Sequence, residues 1–481
     1  MSSSALFTDF YELTMAQGCW QHDLDTKAVF DVFFRRQPFK GGFSVFAGLD
    51  PLLDALQAFS FSGEDLAWLE SQRCFKPAFL EYLEKFKFSG DVYAVPEGEI
   101  VFPQEPLLRI HAGLIEAQII EGLVLNTINF QSLIATKSAR IALAAKGKSV
   151  MEFGLRRAQG HDGAMSASRA AYIGGASATS NALAAMRLGI PAMGTMAHSW
   201  VMAFGTELES FEAYARLYPD STTLLIDTFD TLDSGLPNAI KVGKKLAAAG
   251  KRFGVRLDSG DIDYLSRKVR SALDAEGLTD AFIVVSNELD EEIIETLVAG
   301  GAPVDTWGVG THLVTGGNEA SFTGVYKLAA VGRDGKLTPT MKFSDNPEKA
   351  TNPGVKELYR LYDEGGSAVA DVMTLEGEPV EAGKTMTFHH PSLDTRRFSW
   401  APCGMIRPLL GKVMSGGSRA VPPVTMAEPR ARRMESMGAF DHTYLRFLNP
   451  HLYKVSISDG LKALKLDFVE KYRGSKIPTI R

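Results

Sequence analysis

Several short segments in the middle of this 481-residue chain combine side chains that can do chemistry. They are EFGLRR (152–157), GTMAHSW (194–200), IDTF (226–229), GVRLDSGD (254–261) and GVGTHLVTGG (308–317). His198, beside Ser199, carries an imidazole able to act as nucleophile or general base, or to sit as a structural group. Asp227 is a carboxylate that can hold one ring nitrogen of such a histidine and leave the other more nucleophilic. Its alternative is a helix cap, a role for which Asp230 competes. Arg256 suits a carboxylate or phosphate ligand, because a guanidinium binds both in bidentate fashion. Asp258 and Asp261 can hold sugar hydroxyls or a divalent cation, or can form a local ion pair and open a helix. Arg156 and Arg157 add cations, and Phe153 offers a face for a flat ring or a place in the core. Thr195 adds a hydroxyl just ahead of His198. The small, polar GGASATSN (174–181) would let backbone N–H groups approach a ligand. Gly310 and Thr311 form the better phosphate candidate: glycine permits close backbone approach, and late-strand loops of barrels often bind phosphate.

These groups need elements to hold them, and the pattern around them supplies a set. Apolar, strand-like runs occur at SVMEFG (149–154), IPAMGT (190–195), TTLLID (222–227), FGVRLD (253–258), AFIVVSN (281–287) and DTWGVGT (305–311). Each ends in a polar or charged residue, and helical stretches fill the intervals. Run starts recur roughly every 24 to 40 residues, the period of β/α units. Parallel β/α folds build their sites at the C-terminal ends of strands, so a row of functional groups there reads as an active-site rim. Polar groups at nearly every strand end favour a barrel over an open sheet, which gathers them at one switch point. In DSGLPNAIKVGKKLAAAGKR, Asp233 or Ser234 can cap, Pro237 suits the first turn and Gly250 ends the helix. DIDYLSRKVRSALDAEGL opens with acids and closes at Gly277.

The expected fold class is α/β: an irregular parallel β/α barrel over 131–345, with an α+β front domain over 1–130 completed by a C-terminal region, 346–481. In the front part, residues 8–20 read as a helix, AVFDVFFR (28–35) as a strand and 91–113 as a small β-meander. Residues 115–147 read as a long helical region. After Val331 the period stops, GRDGK signals a turn, and the tail reads as β-like before a final stretch of loops and helices over 400–481.

A net charge of −6 argues against nonspecific nucleic-acid binding, which draws on a basic face, but not against an anionic small substrate in a locally cationic cleft. Cys19, Cys74 and Cys403 show neither pairing nor metal spacing, which suggests a reduced, cytoplasmic setting. The first residues lack the basic-then-apolar layout of a signal peptide, and no apolar run reaches the roughly 18 residues of a membrane span. GxxxxGK[ST], HExxH and paired CxxC motifs are absent, so an ordinary P-loop and structural zinc are not expected. His389 and His390 lie in a polar stretch and are expected to be solvated.

Taken together, FTDFYELTMAQG, EFGLRRAQG, GTMAHSWVMAF, IDTF, GVRLDSGD and GVGTHLVT, in this order, resemble the nicotinate phosphoribosyltransferase family, of the type II phosphoribosyltransferase fold. GVYKLAAV and KFSDNPEKATNPGVKELYR extend the likeness over nearly the whole chain. The resemblance implies a homodimer that joins nicotinate to phosphoribosyl pyrophosphate with coupled ATP hydrolysis and Mg²⁺, in NAD salvage. It implies that His198 is phosphorylated by ATP and that Asp227 orients it. It implies that Phe153 and Tyr11, the latter from a second subunit, sandwich the pyridine ring. Arg156 and Arg256 would serve the nicotinate and phosphoribosyl site, Thr195 nicotinate, Asp258 the ribose or metal, and Gly310 and Thr311 the 5-phosphate. His161 in AQGHDG stands where the family often has proline. Three other readings remain: a transferase for nicotinamide or quinolinate, a barrel aldolase or isomerase, and a non-catalytic protein that kept the fold.

Overall fold

The computed structural model describes residues 4–22, 26–333, 335–344, 350–393 and 395–475, with the backbone alone over 472–475. The chain divides into two compact units, one of Met1–Leu133 with Ser321–Arg481 and one of Ile134–Ala320.

The Ile134–Ala320 unit is built on a six-stranded parallel sheet. Its order is Ala178–Thr179, Ser149–Glu152, Thr306–Val309, Phe282–Asn287, Gly254–Leu257 and Thr223–Leu225. The strands are short and almost wholly buried, as parallel strands covered on both faces must be. The strand earliest in sequence, Ser149–Glu152, pairs with the latest, Thr306–Val309, in register from Ser149↔Thr306 to Glu152↔Val309. A first-to-last pairing with sequential neighbours elsewhere is the connectivity of a barrel. Closure is incomplete. The expected run at 190–195 makes only an isolated bridge, Thr179↔Ala192, and no ladder among the described residues joins it to Thr223–Leu225. The helices His198–Met202 and Glu207–Leu217 follow this open seam.

Two local features depart from the sequence expectation. GGASATSN is not a loop throughout: it contains the buried Ala178–Thr179 strand, and Ser180, just beyond it, lines the cleft described below. Neither Asp233 nor Ser234 caps the helix Leu236–Ala248. Asp230 caps instead, accepting from the N–H of Leu232 (3.0 Å) and Asp233 (2.6 Å), and a π-helical turn, Thr231–Gly235, leads into the helix. Gly235 is required there, because a Cβ would lie 1.9 Å from the Ile226 carbonyl oxygen. The helix Ile262–Ala275 does follow its signals: the Asp261 side chain accepts from the Tyr264 N–H, and Gly277 turns with φ +75°.

The other unit carries a seven-stranded antiparallel sheet in which Lys27–Phe34 lies between Gly324–Arg333 and Leu108–Gly113. Gly324–Arg333, expected within the barrel domain, therefore belongs to this sheet. The end of the expected 131–345 domain is thus placed with the front part of the chain, because this strand's hydrogen-bond partners are residues 27–34. The expected boundary at 345–346 lies outside the described residues, as do 345–349 of KFSDNPEKATNPGVKELYR and Asp334 of GRDGK. Residues 115–147 form two helices, Leu114–Ile119 and Glu121–Ala144. The tail over 400–481 holds strands as well as helices: Gly411–Ser415 pairs with Asp91–Ala94, and Lys454–Ile457 lies in a second, six-stranded sheet.

Candidate active site

The strand ends of the Ile134–Ala320 unit surround a cleft of about 620 Å³. Phe153, Arg156, Thr195, His198, Arg256, Asp258, Gly310 and Thr311, all singled out in the sequence, line it.

Arg256 is its organising cation. The residue pairs with Val284 in the sheet, and Ser286, two residues further on, points to the same face. The Arg256 Nε donates to Ser286 Oγ at 2.8 Å, Nη1 to Thr195 Oγ1 at 2.9 Å and to the Met196 carbonyl at 3.3 Å, and Nη2 to Asp258 Oδ1 at 2.9 Å. Ser286 Oγ in turn donates to the same Asp258 oxygen. With 11 % of its side chain exposed, Arg256 is a fixed charge rather than a mobile one. Its guanidinium carbon lies 5.8 Å from the centre of the Phe153 ring, within cation–π range.

His198 is the first residue of its helix and stays 41 % exposed. Its Nδ1 lies 3.1 Å from Thr228 Oγ1, and its Nε2 lies 3.7 Å from Asp258 Oδ2. Asp227 does not meet it. The Asp227 carboxylate accepts from the backbone N–H of Asp258 at 2.8 Å and from Ser259 Oγ at 2.6 Å, and no hydrogen bond or ion pair joins it to His198. The reason is topological. Asp227 lies two residues beyond the strand Thr223–Leu225 and reaches across to the loop that follows Gly254–Leu257, whereas His198 arrives from the open seam. The expected His198–Asp227 contact is thus replaced by Thr228 and Asp258, with Asp227 holding Asp258 in place.

Phe153 is fixed through its backbone N–H, which donates to the Val309 carbonyl at 2.8 Å. Glu152, which the strand-end pattern counted with the rim, is fully buried. It accepts from Ser168 Oγ at 2.9 Å, from Thr179 Oγ1 and from the Gly154 N–H, and so ties the sheet to the helix Gly160–Gly174. Arg156 and Arg157 project from a short 3₁₀ turn, exposed, with no ion pair among the described residues. Opposite in sequence, Gly310 precedes the helical turn Thr311–Thr315, whose first amides lack intrahelical acceptors. Thr311 Oγ1 donates to Glu288 Oε1 at 3.4 Å, and His312 Nε2 lies 3.5 Å from the other Glu288 oxygen. Asn287 also lines the cleft, with φ +123°, a conformation that side-chain-bearing residues rarely adopt.

Tyr11 belongs to the other unit, in the helix Phe10–His22, and is about half exposed. The neighbouring Glu12 carboxylate, and then burial, hold its phenol above the usual range. Asp261 is exposed, and its Oδ1 caps the helix Ile262–Ala275, accepting from the Tyr264 N–H at 3.0 Å. His389 is not simply solvated, since its Nε2 lies 2.7 Å from Asp459 Oδ1, and the His390 Nδ1 accepts from the N–H groups of Ser392 and Leu393. Sequence reasoning missed Thr228 and Ser286. Each is a lone hydroxyl beside a more conspicuous group, Asp227 and Asn287, and a polar residue inside an apolar strand run was the available signal for Ser286. Among the described residues no cluster of three or more His, Cys, Asp or Glu has metal-binding geometry, and no helix is long and apolar enough to cross a membrane.

Comparison with known proteins agrees along the chain. Residues 6–129, 148–366 and 355–465 match, in turn, the models of the nicotinate phosphoribosyltransferase N-terminal domain, the nicotinate phosphoribosyltransferase family and the nicotinate phosphoribosyltransferase C-terminal domain. The nicotinate phosphoribosyltransferase of Bacillus subtilis (strain 168) is 45% identical over 391 residues, 81% of this chain and 80% of that protein. The Homo sapiens nicotinate phosphoribosyltransferase is 35% identical over 523 residues, 95% of each chain. The crystal structure of human nicotinic acid phosphoribosyltransferase superposes with a TM-score of 0.83 at 32% identity, covering 96% of this chain and 99% of that one. With likeness of sequence and of fold both spanning most of its length, this chain belongs to the nicotinate phosphoribosyltransferase family of enzymes.

Proposed function

We propose that the cleft transfers a phosphoribosyl group from phosphoribosyl pyrophosphate to nicotinate, in NAD biosynthesis, and that ATP hydrolysis is coupled to it through a phosphohistidine at His198. The observation that carries the coupling is the setting of His198: half-exposed in the cleft, its Nδ1 beside the Thr228 hydroxyl and its Nε2 facing Asp258. In the coupling step an imidazole nitrogen bonds to the γ-phosphorus of ATP while the bond to the ADP oxygen breaks. Asp258 is placed to stabilise the cationic ring, and water later cleaves the N–P bond to release phosphate. In the transfer step the pyridine nitrogen bonds to the anomeric carbon as its bond to pyrophosphate breaks. The transition state has cationic sugar character and a departing polyanion, so positioning and charge stabilisation are the enzyme's main work.

The chain's own residues divide this work. Arg256, locked by Ser286, Thr195 and Asp258, is preorganised for an anion, and Arg156 offers an uncommitted cation at the rim. Phe153 supplies a face for the base, Thr195 a hydroxyl near its carboxylate, and Gly310 with Thr311 a polar turn for the 5-phosphate. The exposed carboxylate of Glu288 and the Asp258 Oδ2, which faces the cleft beside His198, are hard oxygen donors in one cleft. That suits Mg²⁺, which commonly takes one or two carboxylates and completes its shell with substrate phosphates and water. When bound it would neutralise the pyrophosphate charge. Phe7, ahead of the first helix, and Phe10 and Tyr11 at its start are each about half exposed, which supports a homodimer in which Tyr11 closes over a partner's base. Three free cysteines accord with a cytoplasmic setting.

The test is product formation from nicotinate and phosphoribosyl pyrophosphate, with and without ATP, alongside phosphate release and transfer of label from the γ-phosphate to protein. His198→Ala is expected to abolish labelling and the ATP-driven rate increase. Retention of both by the variant would remove His198 from this role.

A further inference from the structure

Gly308 lies inside the Thr306–Val309 strand, where a glycine weakens the strand unless something approaches closely. Here the ring of Phe153 does. A Cβ at 308 would stand 2.7 Å from both Cδ2 and Cε2 of that ring and 3.3 Å from Ser286 Cβ, where ordinary contact begins at 3.4 Å. Neither backbone can give way. Gly308 is laddered on both sides, to Ser286 and to Met151, and all four residues of its strand are buried. Phe153 is held by its N–H bond to Val309, and its neighbour Gly154 is itself wedged, since a Cβ there would meet Val314 at 2.2 Å and the Gly310 carbonyl oxygen at 2.9 Å. Only the Phe153 side-chain torsions are left to respond. The ring lines the cleft, with the Arg256 guanidinium 5.8 Å from its centre, so retreat from the strand takes it into the substrate space.

We infer that Gly308 is a specificity-determining residue: its missing side chain lets the Phe153 ring lie against the strand and so sets the width of the slot open to a flat, six-membered aromatic acid. This rests on the reading of Phe153 as a platform for the base. A methyl group at 308 must shift the ring by about 0.7 Å, the gap between 2.7 and 3.4 Å. Because a misplacement of about 1 Å can cost on the order of a hundredfold in reactivity, the slot is expected to be sensitive to this one atom.

The experiment is a double-mutant cycle on nicotinate and phosphoribosyl pyrophosphate kinetics with Gly308→Ala, Phe153→Ala and the double variant. Gly308→Ala is expected to raise the KM for nicotinate on the order of tenfold while the KM for phosphoribosyl pyrophosphate stays within about twofold. In the Phe153→Ala background the same methyl is expected to change each constant by less than about twofold, since the ring atoms it strikes are gone and only a 3.3 Å approach to Ser286 Cβ, a tenth of an ångström inside ordinary contact, is left. An equal rise in nicotinate KM in both backgrounds, or none in the native background, overturns the inference. If Gly308→Ala does not fold, the double variant must fold; its failure also overturns the inference. The platform reading fails separately, if Phe153→Ala alone leaves the KM for nicotinate unchanged.

Discussion

At the scale of single residues, the cleft shows how one hydroxyl can matter more than a nearby carboxylate. Thr228 is the group on the His198 Nδ1, and Asp227, one position earlier, bonds elsewhere. An imidazole's reactive nitrogen is set by what the other nitrogen bonds. Thr228→Val keeps the shape and removes the hydroxyl, leaving the ring free to rotate. It is expected to lower the ATP-driven rate increase by roughly tenfold, the worth of about 1.4 kcal/mol, while ATP-independent transfer is little changed. An ATP stimulation equal to that of the native enzyme would show that Thr228 does not hold the ring. The residue types in this site were legible in the sequence because chemistry needs few of them, and eight of the ten chosen side chains line one cleft. Their pairings were not. Neighbouring strand ends announce proximity, but which side chain fills a gap of 3 Å depends on loop geometry that no local pattern records.

At the scale of elements, what could be read was whatever buries enough apolar surface to leave a pattern. Five of the six expected runs are strands, because a parallel strand covered on both faces must be a short apolar run. The run at 190–195 is interrupted by Pro191, which lacks a ladder N–H, is exposed over 191–194 and forms one bridge, and the two-residue strand at 178–179 is too short to show alternation. The π-helical turn at Thr231–Gly235 was equally invisible, and its Gly235 packs directly on the main chain of Ile226, just ahead of Asp227 and Thr228. Gly235→Ala places a methyl 1.9 Å from the Ile226 carbonyl oxygen, against main chain that itself donates its N–H to Arg256 at 3.2 Å. Overpacking of this kind costs about 1–3 kcal/mol, and it acts on the element that aims Thr228 at His198. The variant is expected to lower the urea midpoint and to lose ATP stimulation together. Stability within about 0.5 kcal/mol of the native protein would mean that the turn relaxes without strain.

At the scale of the whole molecule, the first and last thirds of the chain are bound by groups that titrate. Glu12 on the first helix is 1 % exposed, Glu121 opens the long helix, and Lys327 lies on the strand Gly324–Arg333 of the same unit. Burial pushes the Glu121 carboxyl up to about 7, Lys327 opposes this, and Glu12 and Asp9 add to it; burial also raises Glu12 and lowers Lys327. An unfolded glutamate titrates near 4.3. Below that value both states hold the proton and no penalty arises. Between about 4.3 and 7 the unfolded chain has released its proton while the native protein keeps it, so native stability falls as pH rises, and the loss is complete above about 7. Glu121→Gln removes this titration and keeps the shape. Urea midpoints of the two proteins from pH 5 to 8 are expected to diverge, the native protein losing stability more steeply than the variant. Parallel curves would show that Glu121 is ionised throughout. The two carboxyls lie on the helix that carries Tyr11 and on its neighbour in this cluster, so the same titration is expected to weaken the seating of that helix as the pH passes neutrality.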